Sequence, residues 1–163
     1  MGMNESDSDC VSLQAGNRVM DLLAQHWIIT LSCHDKQGCW ASAVFYASDG
    51  FDLYYLSSPS SRHSTSLAFD NRLAGAIHHN ATDWTSIVGL QVSGTATVLD
   101  HAEAENARQL YERRFPFIAN AHDEAGDLSR ALRRTRCYRL SLDRAVVIDN
   151  ARGFGQRMEW LRA

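Results

Sequence analysis

The sequence predicts a mainly β fold: an antiparallel barrel, closed or nearly closed, with helices packed around it. Three observations point there. Short runs of alternating or two-sided apolar character recur from His26 to Leu161, separated by turn residues. A glycine, Gly94, interrupts the longest of these runs, where a barrel strand needs a bend. Helical patterns lie between the runs and not in a regular βαβ alternation. The 163 residues suit one domain, expected over 11–163, with 1–10 as a polar, disordered tail.

The elements follow in order. Ser12 caps a helix expected to run to about Gln25, with Leu13, Val19, Leu22 and Leu23 on one stripe and Gly16 as its weak point. His26 to His34 is the first strand, with Ile29, Leu31 and Cys33 on one face. Asp35 to Gly38 supplies a turn. Cys39 to Ala47 is the second strand. Both of its faces are apolar, so neither should meet bulk water. Asp49-Gly50 is a hairpin signal, and the aromatic run Phe51 to Ser57 is the third strand. Pro59 and its serines end that strand and lead into a short helix from about Ser61 to Asp70. Arg72 to His78 and Ile87 to Leu99 are the fourth and fifth strands. Asp100 opens a helix with Glu103 at capping-box spacing, and Pro116 stops it. Residues 116–134 are less regular, with a helical turn near Leu128 to Leu132. Arg136 to Ile148 is the sixth strand, and Arg157 to Leu161 reads as a last short one.

Composition narrows the function. The net charge is −3, from 16 basic and 19 acidic residues, which argues against nucleic acid or an anionic membrane as partner. No stretch approaches the roughly 20 apolar residues that span a bilayer. The polar, acidic start lacks the pattern of a secretion signal, so a cytoplasmic location is expected. The four cysteines form no C-x-x-C pair and are expected to be reduced thiols. The seven histidines show no zinc spacing, so no metal is expected. A P-loop, a G-x-S-x-G elbow and a dinucleotide fingerprint are all absent. The arginines at 130, 133, 134 and 136 read as a solvated face or as an anion contact.

The most informative stretch is Ser57-Ser58-Pro59-Ser60-Ser61-Arg62-His63-Ser64, which follows a strand and precedes a helix. Free N–H groups, hydroxyls and a guanidinium could cradle a phosphate there. The alternative is a polar loop with a helix cap. Gln91, inside a long strand, could hydrogen-bond a planar ligand or simply face solvent.

At this point the chain resembles the YhbP-like proteins, a branch of the pyridoxamine-phosphate-oxidase-related flavin-binding split barrels. The resembling residues are Gln25-His26, Trp40-Ala41-Ser42-Ala43 with Phe45-Tyr46, Arg62-His63, Gly89-Leu90-Gln91-Val92 with Gly94, Tyr111 to Pro116, and Asp149 to Gly155 followed by Met158 and Trp160-Leu161-Arg162. They span most of the chain after the tail, apart from an insertion-like stretch at 121–135. The resemblance implies a six-stranded split barrel and a homodimer with flavin mononucleotide (FMN) at the subunit interface. It places the phosphate at Ser58, Arg62 and His63, the ring near Ser42, Ala43, Tyr55 and Ser57, with Gln91 approaching, and Trp160 coming from the other subunit. His63 stands where many relatives have a lysine. Three functions follow as expectations: a flavin-dependent oxidoreductase of unstated substrate, a non-catalytic dimer binding flavin or another anionic small molecule, and, ranked last, a haem binder.

Overall fold

In the computed structural model, residues 5–121 and 126–163 are described, with side-chain environments from Ser12 onward. The first helix, α1, covers Glu5–Gln25. It therefore begins inside the segment expected to be a tail; Met1 to Asn4 lie outside the described residues. Its inward face is Ala15, Val19, Leu22 and Leu23, each at most 1% exposed, at helical spacing. Leu13, expected on that stripe, is 67% exposed. Gly16 is a packing notch: a Cβ there would lie 3.3 Å from the ring of Trp160.

Eight strands follow: β1 (Ile28–Asp35), β2 (Gly38–Phe45), β3 (Ala47–Asp49), β4 (Asp52–Ser57), β5 (Arg72–His78), β6 (Val88–Val98), β7 (Arg136–Asp149) and β8 (Arg157–Leu161). They form one antiparallel sheet in the order β2-β1-β5-β6-β7-β4-β3, with β8 also on β7. The expected six strands are thus corrected to eight. One of the two added strands is β8, read in the sequence as a last short strand; the other comes from the run from Gly38 to Asp49. Its first part pairs with β1 and its last part with β4. A single residue, Tyr46, separates them. Because β2 and β3 lie at opposite ends of the order, this continuous run obliges the sheet to curl.

The interior holds Ile29, Leu31, Leu53, Tyr55, Leu90, Tyr138, Leu140 and Leu142 together with the face of α1. Outside the sheet lie α3 (His101–Arg114), α4 (Pro116–Asn120) and α5 (Asp127–Leu132). They build a second core around Tyr111, Phe115, Ile118 and Leu132 over Ala47. Asp100 caps α3 by accepting from the Ala102 and Glu103 amides. The Glu103 side chain pairs with Arg139 at 3.1 Å. Pro116 ends α3 and, at the first position of α4, starts the next helix, where its missing N–H costs nothing. The remaining helix, α2, covers Arg62–Ser66. No described helix is long and apolar enough to cross a membrane.

Gly94 marks the expected bend. Ser93 pairs with Arg144 and Gly94 with Leu142, leaving Asp143 as the extra residue on β7. A Cβ at Gly94 would meet the Ser141 carbonyl oxygen at 2.0 Å, which backbone cannot accommodate without moving. Gly94→Ala is therefore expected to destabilise by about 3 kcal/mol, the upper end of overpacking costs. Gly50, at φ 56 in the β3–β4 turn with nothing near its Cβ position, should cost only about 1 kcal/mol as alanine. Chemical denaturation of both variants checks this; equal losses would show that the close approach at Gly94 is easily relieved.

Candidate cofactor site

The serine-rich segment becomes a dense hydroxyl cluster at the end of β4. Ser57 Oγ lies 2.7 Å from His63 Nε2 and 3.0 Å from Ser61 Oγ. Ser61 Oγ donates to Ser64 Oγ at 2.8 Å. Ser58 and Ser60 pair at 2.8 Å on the outer side. Ser61 takes the N-cap position of α2 yet makes no side-chain cap bond, because its hydroxyl faces this cluster. With only five residues, α2 offers little aligned dipole to an anion. Any phosphate affinity here has to come from side chains.

His63 and Arg62 point in different directions and do different work. His63 is 8% exposed, and burial lowers its pKa, so near neutrality it is an uncharged ring bonded to serines. Arg62 reaches back to the β1–β2 turn. Its Nε and Nη2 donate to the two oxygens of Asp35, both at 3.1 Å, and Nη2 also approaches the Gly38 carbonyl at 3.3 Å. The guanidinium lies 4.8 Å from the centre of the Trp40 ring. Arg62 beside Asp35, foremost, holds that carboxyl far below the usual range, with Ser66 and the Gln37 amide adding hydrogen bonds. Between the turn and α2 opens a shallow cleft of about 610 Å³, edged by Lys36, Ser60, Arg62, Thr65 and Phe69, with Asp35 among them. It holds two cations, several hydroxyls and one carboxylate.

The nine residues singled out in the sequence do not converge within one chain. Ser57 and Ser58 precede α2, which itself carries Arg62 and His63. Ser42 is near them, accepting from Trp40 Nε1 at 2.9 Å. Tyr55 is inside the barrel at 1% exposure, stacked on Tyr138 at 5.1 Å. Its hydroxyl is buried without a protein partner, and burial pushes its pKa up. Ala43 and Gln91 sit on the outer surface of the sheet. Trp160 is 8% exposed, stacked on Phe51 at 3.7 Å and against α1 of its own chain. The structure thus places it in the core and not at an exposed edge. Asp35, Lys36 and Trp40 were missed in the sequence; the ion pair that unites turn and helix spans 27 residues, and no local pattern signals it.

The curled sheet with its flanking helices superposes on a heme binding protein of Mycobacterium smegmatis with TM-score 0.72 at 20% identity, over 90% of this chain and 57% of that one. It also superposes on a putative pyridoxamine 5'-phosphate oxidase of Listeria innocua with TM-score 0.63 at 12% identity, over 82% and 98% of the two chains. The heme storage protein HutZ of Vibrio cholerae gives TM-score 0.60 at 17% identity, covering 77% of this chain and 88% of that one. The fold is that of the pyridoxamine-phosphate-oxidase-like split-barrel proteins. No family model matches the sequence. The UPF0306 protein YhbP of Escherichia coli is 30% identical over 142 residues, 86% of this chain and 88% of that protein, and its Salmonella schwarzengrund counterpart is 29% identical over the same span. The chain belongs to the UPF0306 family of YhbP-like proteins.

The buried histidine has a consequence for stability. His63 and His26 both titrate below the ordinary histidine value of 6.5, for which burial is the first cause. An unfolded chain binds these protons first, so stability is complete above pH 6.5 and falls as pH drops towards the lowered folded values. Denaturation midpoints measured from pH 8 down should decline below about 6.5. His63→Asn should be less stable at pH 8, through the lost serine bond, but show a shallower acid slope. An unchanged slope would mean that His63 is not the group titrating.

Proposed function

We propose that the protein is a homodimeric FMN-binding member of its family, related to flavin-dependent oxidoreductases, with the flavin held where the outer sheet surface of one copy meets the partner. The observation that carries this reading is the outer surface itself. Residues alternating with the buried Ile29, Leu31 and Cys33 form cross-strand rows of short side chains. One row is Ala43, Thr30, Ala76, Gln91 and Val146; the next is Ala41, Ser32, Ala74 and Ser93. Ile28 and Phe45 continue the surface, 48% and 40% exposed. This surface mixes alanines, Ile28 and Phe45 with Thr30, Ser32, Ser93 and Gln91, and a cover over its apolar part would be favourable. A second copy can supply it, and short side chains leave room for a planar ring against the backbone. Gln91 adds an amide able to donate and accept at the ring edge.

The residues fit the cofactor in outline. Lys36 and Arg62 with the hydroxyls of Ser60 and Thr65 could hold its phosphate, once Arg62 is shared between that group and Asp35. Bound flavin would supply the redox chemistry. This chain's residues would bind and orient it and exclude water. In this reading His63 shapes the loop and does not grip the anion. A non-catalytic dimer with the same ligand would show the same binding but no turnover with reduced nicotinamide and an acceptor. Haem would give a Soret band in place of flavin absorption.

Titration of the purified full chain with FMN and riboflavin tests the reading. FMN should bind more tightly, and Arg62→Ala should weaken FMN by about tenfold to a hundredfold while sparing riboflavin. Asp35→Asn removes the competing carboxylate and should tighten FMN. Equal affinity for the two ligands in the parent would place the phosphate elsewhere, and no binding of either would remove flavin altogether. For the dimer, sedimentation should show a two-chain particle that Ala76→Arg, which plants a charge amid the short side chains, converts to monomer. A monomeric parent at micromolar concentration would overturn the interface.

A further inference from the structure

We infer that the protein carries a second anion site, separate from the α2 cleft and selective for phosphate groups, between α1 and the loop joining β7 to β8. Two arginines, one from α1 and one from the loop, converge there on one carboxylate, and a third from β8 lines the same cavity. Arg18 of α1 approaches Asp149 Oδ2 at 3.5 Å, and Arg152 of the loop approaches the same oxygen at 3.6 Å. Arg157, the first residue of β8, lines the same cavity of about 70 Å³ and forms no ion pair among the described residues. Cationic charge therefore exceeds anionic charge around a hole the size of a small group. Two polar atoms at this place are buried without a protein partner: Arg18 Nε, a donor, and Asp149 Oδ1, an acceptor. Buried polar atoms are rarely left so, and each requires an explanation.

The two orphan atoms define the ligand. The arginines ask for an oxyanion, and guanidinium groups suit its planar edges. A carboxylate among them would repel most anions. It is satisfied only if the ligand also brings a proton to donate to Oδ1. Phosphate groups that keep a hydroxyl meet both demands. Sulfate, fully ionised, meets only the first. Water could satisfy both atoms but leaves the excess positive charge uncompensated.

The loop is built to hold this arrangement. Gly153 and Gly155 take φ 138 and 71, conformations side chains rarely adopt. Asn150 locks the loop, accepting from the Gly155 amide and donating to the Trp84 carbonyl. Asp149 N donates to the Gln156 carbonyl, closing the loop on itself. Such a closed loop fixes the backbone from which Arg152 and Arg157 project.

Calorimetric titration of the full-length Arg62→Ala protein isolates this site from the α2 cleft. At slightly acidic pH, inorganic phosphate should bind and sulfate should bind at least about tenfold more weakly. Arg157→Ala, an exposed position that the fold does not need, should weaken phosphate by about tenfold. Asp149→Asn should erase the preference for phosphate over sulfate. Glycerol phosphate binding as well as inorganic phosphate would identify the ligand as a phosphate ester; weaker binding would identify free phosphate. No heat with either ion, equal affinity for both in the parent, or no effect of Arg157→Ala would each overturn the assignment. Loss of FMN binding in Arg62→Ala leaves this measurement intact, so the two sites succeed or fail separately.

Discussion

The run from Gly38 to Asp49 changes hydrogen-bonding partners at Tyr46, and most of the architecture follows from holding that residue in place. The Tyr46 amide donates to the Trp27 carbonyl, and its hydroxyl reaches the Leu23 carbonyl at 3.0 Å, near the end of α1. The same carbonyl accepts from Arg114 of α3, whose Nη2 also bonds Ala24 and His26. The last turn of α1 has no basic residue of its own, so a side chain 88 or more residues away caps it. Burial pushes the Tyr46 hydroxyl's pKa up, keeping it a neutral donor. One tyrosine and one arginine thereby tie together the plug helix, the corner of the sheet and the outer helical layer.

The same economy governs the candidate site. The β1–β2 turn and the short α2 would each be a loose surface feature alone. The Arg62–Asp35 pair, with Ser66 also donating to Asp35, fixes them together. The pair is partly exposed, so its net contribution to stability is modest. Its value is geometric, because it sets the width of the cleft. It also sets a constraint on function: an anion entering the cleft must compete with Asp35 for Arg62, and Lys36 is the cation left to assist it.

The strands were legible in the sequence because their residues alternate and their turns carry glycine, proline or aspartate. β5 and β8 fall where the pattern put them, and the bend at Gly94 was read from that glycine alone. The break at Tyr46 was not legible. Cys39 to Ala47 is continuous in pattern, and only the tertiary switch of partners divides it. The helix extension to Glu5 escaped because its first turns are polar, giving no apolar stripe to read. At the candidate site, the local sequence singled out the serine-rich segment but not the different surroundings of its residues. Arg62 and His63 are adjacent in a polar run, and nothing local tells that one faces a distant aspartate while the other is buried among serines. The packing of Trp160 was likewise not legible, because its notch at Gly16 lies 144 residues earlier and has no local signature.

The strand β5 shows how core and function can be coupled in a few residues. Ala74 and Ala76 contribute to the outer rows, while Gly75 between them faces inward, where a Cβ would approach Ile29 Cδ1 to 2.6 Å. The interior thus needs the smallest residue here so that Ile29 can fill the barrel under β1, and the outer rows use the next smallest. Bulky residues at 74 and 76 would be tolerated by an isolated barrel, since those side chains face away from its core. In the proposed assembly of two copies across a planar ligand, the brevity of Ala74 and Ala76 would let the ligand approach the backbone. Short outer side chains, an apolar edge on β2 and a cationic cleft near that edge are the three features on which the proposed assembly of two copies rests.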